Sequence, residues 1–288
     1  MSLTAAASGE KENVRLDPIK CRDGSRPNIL LAEDSPAARV LTGALLNHIG
    51  CDVDAAEHGE EALSYIKNQN YDLVLMDIEM PVMDGVVAAK EIRTMGGTAA
   101  ATPIVALSAF LADTKRSSFW QEHFDVALSK PAGKHQLHAT ISQVLDHNRV
   151  PSKWLKGDND VQELSVEANR VLVDEAKLAR ILLNICVADQ VALLKTASTE
   201  MSLYSGELAF KKNNTAGDDI IAILQKLCGL STTFAASGLH MMAGRLSADI
   251  CNSENIDFNR RILTVCECAD RTAEVLQQKC QKLPGGEI

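Results

Sequence analysis

Five residues carry the types and spacing needed for chemistry. Glu33 and Asp34 form an acidic pair after one apolar run, Asp77 ends a second, Ser108 ends a third, and Lys130 follows a fourth, just before Pro131. Clustered carboxylates repel and raise one another's pKa, so such a group is stabilised by a divalent cation or by a nearby ammonium. Mg2+ takes carboxylates, a main-chain carbonyl, waters and substrate oxygens, and it bridges to a phosphoryl group in the transition state of transfer. Lys130 adds a compact positive charge for one phosphoryl oxygen, and Ser108 offers a hydroxyl donor for another. The set describes a site in which Asp77 attacks phosphorus and becomes an acyl phosphate. Taken singly, each acidic residue reads equally well as a cap or turn residue, and it is the ordered set that points to a site.

The five converge only if the chain folds so that four strand ends meet. Apolar runs alternate with helical stretches from Pro27 onward: strands at Asn28–Glu33, Cys51–Ala56, Tyr71–Met76, Pro103–Ser108 and Asp125–Ser129, with helices at Pro36–His48, Gly59–Asn68, Val86–Thr94, Asp113–Gln121 and Lys134–His147. The unbroken apolar runs at Ile29–Ala32 and Leu73–Met76 suit strands buried on both faces. Five strand-helix units predict a flavodoxin-like, doubly wound, five-stranded parallel sheet, whose ligands bind at the carboxyl ends of its strands.

The chain has 288 residues, enough for two domains. Residues 1–26 are small and polar and read as a disordered leader, residues 27–149 as the α/β domain, 150–170 as a polar linker, and 171–288 as an all-α helical bundle. Helical spacing recurs there in Leu178, Ile181, Leu182 and Ile185, and in Ile220, Ile221, Leu224 and Leu227. With 29 Lys plus Arg against 38 Asp plus Glu, the net charge of −9 disfavours nucleic acid as a partner. No apolar run approaches the roughly 20 residues that a membrane helix needs, which predicts no membrane insertion and a cytoplasmic location. The eight cysteines lack zinc spacing and read as reduced, mostly buried thiols.

Residues 28–148 resemble the receiver domains of two-component response regulators. The resemblance rests on Leu-Leu-Ala-Glu33-Asp34-Ser-Pro, Asp-Leu-Val-Leu-Met-Asp77-Ile-Glu-Met-Pro-Val-Met-Asp84-Gly85, Thr-Pro-Ile-Val-Ala-Leu-Ser108-Ala and Leu-Ser-Lys130-Pro131. It implies that Glu33, Asp34 and Asp77 bind Mg2+ together with the main-chain carbonyl of Glu79, and that Asp77 accepts phosphate from a phosphohistidine. It also implies that Ser108 is the switch hydroxyl and that Lys130 contacts the phosphoryl group. Receivers commonly carry Tyr or Phe three residues before the lysine; here that position is Ala127, so a switch would rely on the loop from Ser108 to Leu111 instead. The implied partners are a sensor histidine kinase or a phosphotransfer protein. The Met-Pro-x-Met-Asp-Gly and Leu-Ser-Lys-Pro wording looks like receivers of hybrid sensor kinases, so the chain reads as the tail of such a kinase, although no kinase catalytic sequence is present.

The helical half is open to several readings. Residues 151–288 carry 15 Lys plus Arg against 18 Asp plus Glu, and with no basic recognition helix this disfavours a DNA-binding output. His240 in the middle of a long helical stretch, followed four residues later by Gly244, resembles the His-x-x-Lys-Gly motif of histidine-containing phosphotransfer domains, with Ala243 at the lysine position. His240 then either relays phosphate or is a structural residue in a bundle that serves docking or homodimerisation.

Overall fold

The structure is a computed structural model that describes residues 16–108, 122–146, 172–183, 185–211, 217–251 and 258–286. In its first half β1 (Asn28–Ala32), β2 (Asp52–Ala56), β3 (Leu73–Asp77), β4 (Ile104–Ser108) and β5 (Val126–Ser129) form one parallel sheet in the order β2-β1-β3-β4-β5. Helices α1 (Pro36–His48), α2 (Gly59–Asn68), α3 (Gly85–Thr94), the single-turn α4 (Gly97–Ala101) and α5 (Lys134–Asp146) connect and follow the strands. This is the flavodoxin-like order, whose switch point lies between β1 and β3. The expected helix at Asp113–Gln121 and the linker around residues 150–170 lie outside the described residues, as does the loop after Ser108.

The strand patterns explain the layering. β1, β3 and β4 are buried along nearly their whole length, as central parallel strands covered on both faces must be, whereas edge strand β2 is mostly part-exposed. Alternate residues then sort to opposite faces. Ile29, Leu31, Leu73, Leu75, Val105 and Leu107 pack under α1 and α5, while Leu30, Ala32, Val74, Met76, Ile104 and Ala106 pack under α2 and α3. Local caps fix the helix starts: Ser35 Oγ accepts from Ala38 N at 3.2 Å with Pro36 opening α1, His58 Nδ1 accepts from Glu61 N, and Asp84 Oδ1 accepts from Val87 N at 2.8 Å. Ser35 is therefore a cap of α1.

Order begins earlier than the expected leader boundary at residue 26. Ile19 is buried against the α1 side of the sheet, and its N–H donates to Ile49 O at 2.8 Å, so an apolar residue in a polar segment finds a place in the core that composition alone hides.

The described part of the second half contains helices only: α6 (Glu175–Leu182), α7 (Val187–Lys211), α8 (Gly217–Thr233), α9 (Ser237–Cys251) and α10 (Phe258–Gln281). Asp174 caps α6 through Lys177 N. Long α7 lies against α10, where buried Ser198 and Ser205 satisfy their hydroxyls by donating to Ala273 O and Cys266 O. The stretch around His240 is not one long helix. It breaks at Ala235, whose φ of 56° ends α8, and His240 stands only three residues after the first residue of α9. Asp218 and Asp257, of a residue type that can cap a helix, fall outside the described side chains. The apolar core does not stop at the domain boundary: the cluster beneath α1 runs on without a break through Leu193, Leu194, Ala197 and Met201, because α7 packs on α1. No described helix is long and apolar enough to cross a membrane, and the seven described cysteines carry free thiols.

Candidate functional site: an acidic pocket at the strand ends

The four strand ends meet as the spacing requires. Glu33 and Asp34 follow β1, Asp77 is the last residue of β3, Ser108 the last of β4, and Lys130 follows β5. One carboxylate oxygen from each of Glu33, Asp34 and Asp77 lies within 4.8 Å of the others. Glu33 and Asp77 are buried at 2% and 6% exposure, so their charges are kept from water, which is costly without partners. The principal partner is Lys130, whose Nζ lies 2.5 Å from Glu33 Oε2 and 2.6 Å from Asp77 Oδ2. Asp77 Oδ1 also accepts from Glu79 N at 3.1 Å.

Electrostatics follow from this crowding. Burial pushes Glu33 up to about 7, with Lys130 pulling it back and Asp77 pushing it further. Asp77 is raised for the same first reason, against the pull of Lys130. For Lys130, burial alone would lower the pKa, but the two carboxylates outweigh it and the ammonium is held above its ordinary value.

The backbone around the pocket is braced. Arg39 Nη1 donates to the carbonyl oxygen of Glu33 at 2.7 Å while Nη2 pairs with Glu57, which ties the loop carrying both acidic residues to the next strand's end. Lys130 N donates to the main-chain oxygen of Ser108 at 2.8 Å, tying the backbone of the lysine to the end of β4. Asp84-Gly85 has a geometric reason: a Cβ at Gly85 would stand 2.0 Å from the carbonyl oxygen of Asp77, so only glycine lets α3 start under the β3 end. In the same loop Val82 adopts a φ of 66°, an uncommon value for a β-branched residue, and is strongly exposed. Ala127 is fully buried opposite Ala106 in the sheet, where its small side chain fits within the core.

Two residues that sequence reasoning missed come from the helical half. Lys226 of α8 pairs with Asp34 Oδ2 at 3.3 Å, and Glu200 of α7 reaches the start of α1, its Oε2 accepting from Ala37 N at 2.7 Å and from Ser35 Oγ at 3.3 Å. Burial raises the Glu200 pKa, opposed by these donors. No local signal marks a single charged residue within a long helix as a tertiary contact.

His240 has a different setting. It is exposed, and its Nδ1 is held by Thr232 Oγ1 at 2.9 Å and by Cys228 O at 3.2 Å, both on α8. Ala243, the position matched to the motif lysine, is fully buried, so a side chain there faces the core rather than a group carried by His240. A Cβ at Gly244 would meet only Cys228 Sγ, at 3.9 Å, so packing within the chain does not demand glycine.

Residues 29–142 match the response regulator receiver domain family. The sensor protein GacS of Pseudomonas syringae pv. syringae is 37% identical over 117 residues, which cover 40% of this chain but 13% of that protein. A GacS of Pseudomonas protegens is 34% identical over 129 residues, covering 44% of this chain and 14% of its own. The chain thus spans about one seventh of the length of these two curated relatives. The two-component response regulator ORR41 of Oryza sativa subsp. japonica is 40% identical over 119 residues, covering 40% of this chain and 91% of that protein. Among solved structures, the receiver domain of a sensor histidine kinase from Pseudomonas aeruginosa PAO1, with magnesium in its active-site cleft, is 30% identical with a TM-score of 0.41, covering 43% of this chain and all of that one. Through residues 29–142 the chain belongs to the response regulator receiver family of two-component signal transduction.

Proposed function

We propose that the chain is a phosphoacceptor in which Asp77 takes a phosphoryl group from a phosphohistidine on a sensor histidine kinase or phosphotransfer protein. The observation that carries this reading is the convergence of three carboxylates within 4.8 Å, two of them buried, with Lys130 bridging Glu33 and Asp77. Three carboxylates against the ammoniums of Lys130 and Lys226 still leave excess negative charge, and an all-oxygen donor set suits a hard divalent cation. The residues fit Mg2+, held by Glu33, Asp34 and Asp77 with the main-chain carbonyl of Glu79. Mg2+ bound there supplies charge neutralisation for the carboxylates and for the phosphoryl oxygens in transfer.

The chain's own groups do the rest. An Asp77 carboxylate oxygen attacks phosphorus in line; the O–P bond forms, the P–N bond breaks, and its electron pair stays with the imidazole nitrogen, which takes up a proton. Lys130 Nζ, already 2.6 Å from Asp77 Oδ2, offers its charge to a phosphoryl oxygen, and the Ser108 hydroxyl serves another. Incubation with a small acyl phosphate and Mg2+ tests the reading: the wild type takes label and Asp77→Asn does not, whereas equal labelling of the two contradicts it.

For the helical half, the observations favour docking over relay through His240. Its Glu200 and Lys226 engage the rim of the acidic pocket, while the position expected to place a cation beside His240 is buried as Ala243. Residues 172–286 therefore act as a non-catalytic element attached to the receiver, and phosphorylation is read out by how they sit on α1.

A further inference from the structure

Lys226 is the point at which the helical half meets the chemistry of the pocket. Its ammonium lies 3.3 Å from Asp34 Oδ2 and also stands over the ring of Tyr204, 5.5 Å from the centroid. The Tyr204 hydroxyl donates to Glu200 Oε1 at 3.2 Å, and the other oxygen of Glu200 holds Ala37 N and Ser35 Oγ at the head of α1. Asp34, Lys226, Tyr204, Glu200 and Ser35 thus form a closed circuit around the loop that joins β1 to α1. That loop carries two of the three carboxylates proposed to hold the cation. Glu200 is 5% exposed and Tyr204 is buried, so the circuit is a packed interface, not a chance surface pairing.

We infer that Lys226 is a tethered counter-cation of the acidic pocket, and that loading the pocket with a divalent cation and keeping α7 and α8 seated on α1 oppose each other. This rests on the Mg2+ site proposed above. A cation ligated by Asp34 would share that carboxylate with the Lys226 ammonium, 3.3 Å from Oδ2, and two positive charges so placed would repel. Either the ammonium withdraws and the circuit opens at Asp34, or the cation binds more weakly. Linkage makes the effect reciprocal: whatever the docked helices cost the cation, the cation costs the docking.

Calorimetric titration of Mg2+ into the full chain tests this, comparing wild type with Lys226→Ala and Lys226→Arg. Lys226 is 41% exposed at its side chain, so the interaction is partly screened, and the expected gain is roughly three- to tenfold tighter Mg2+ binding in Lys226→Ala. Lys226→Arg, which keeps the charge, stays close to wild type. Equal or weaker binding in Lys226→Ala overturns the inference. Amide hydrogen exchange on the wild type gives a readout without any variant: Mg2+ should speed exchange in the segments around Glu200 and Lys226, and unchanged or slower exchange there overturns the inference. A wild type that takes up Mg2+ with no difference in the variant sinks the role of Lys226 alone, whereas a wild type with no Mg2+ uptake sinks the site and this inference together.

Discussion

The acidic pocket and the surroundings of His240 are built in opposite ways. In the pocket, charged side chains from three strand ends are forced together with Glu33 and Asp77 withdrawn from water, both raised above their ordinary range and bridged by one lysine. Around His240, the ring is exposed and held by a threonine hydroxyl and a carbonyl oxygen of the neighbouring helix, with nothing crowded or withdrawn. A chain that maintains buried like charges does so against a free-energy cost, and the cation proposed above would relieve the repulsion. The histidine makes the contacts that any surface histidine makes. A motif half matched by spacing therefore means less than a cluster whose geometry is costly to hold.

The largest effect separating the two regions should come from Lys130→Met. Removing the bridging ammonium leaves Glu33 and Asp77 buried without it, at about 3 kcal/mol of unfolding free energy in metal-free buffer. Denaturant melts should recover part of that loss when Mg2+ is added; a loss below about 1 kcal/mol would show that the pocket is not strained.

Glu33 gives the next effect. Its folded pKa of about 7 lies above the ordinary carboxylate value, so between these values the folded state binds more protons than the unfolded one. Metal-free stability should then rise as pH falls from about 8 toward about 5.5, on the order of 2 kcal/mol from this group. Saturating Mg2+, which favours the ionised carboxylate, should flatten or reverse that slope. A metal-free protein whose stability falls steadily over the same range would contradict the crowding of the pocket.

Smaller changes sharpen the other side. Glu200→Ala removes the acceptor for Ala37 N at the head of α1 and should cost about 1 kcal/mol, visible as a lower denaturant midpoint. His240→Ala should stay within about 0.5 kcal/mol of wild type and should not alter phosphoryl labelling of the full chain. A larger loss of stability, or a loss of label, would erase the contrast between the two regions.

Much of the receiver half was legible because its signals are local. The apolar runs of β1 and β3 announce strands covered on both faces, and once a doubly wound order is accepted, the residue after each run must lie at the ligand end of the sheet. Gly85 was legible as part of a motif, but its reason, the carbonyl of Asp77 beneath it, needed three dimensions. Ile19 and the circuit through Lys226 and Glu200 were not legible, since a single apolar residue in a polar segment, or a single charge within a helix, acquires meaning only from what packs against it. The helical half was readable as helical from its spacing, but the break at Ala235 carries no glycine or proline signal, and without it His240 looked like a mid-helix residue.

The central claim is that phosphoryl chemistry belongs to Asp77 and not to His240. Its most direct test is to treat the full chain with a small acyl phosphate and Mg2+ and to locate the incorporated phosphoryl group by peptide mass spectrometry, together with its stability to acid and base. The account predicts a base-labile acyl phosphate on the peptide containing Asp77 and none on the peptide containing His240. An acid-labile phosphate on the His240 peptide, with Asp77 unmodified, would contradict it.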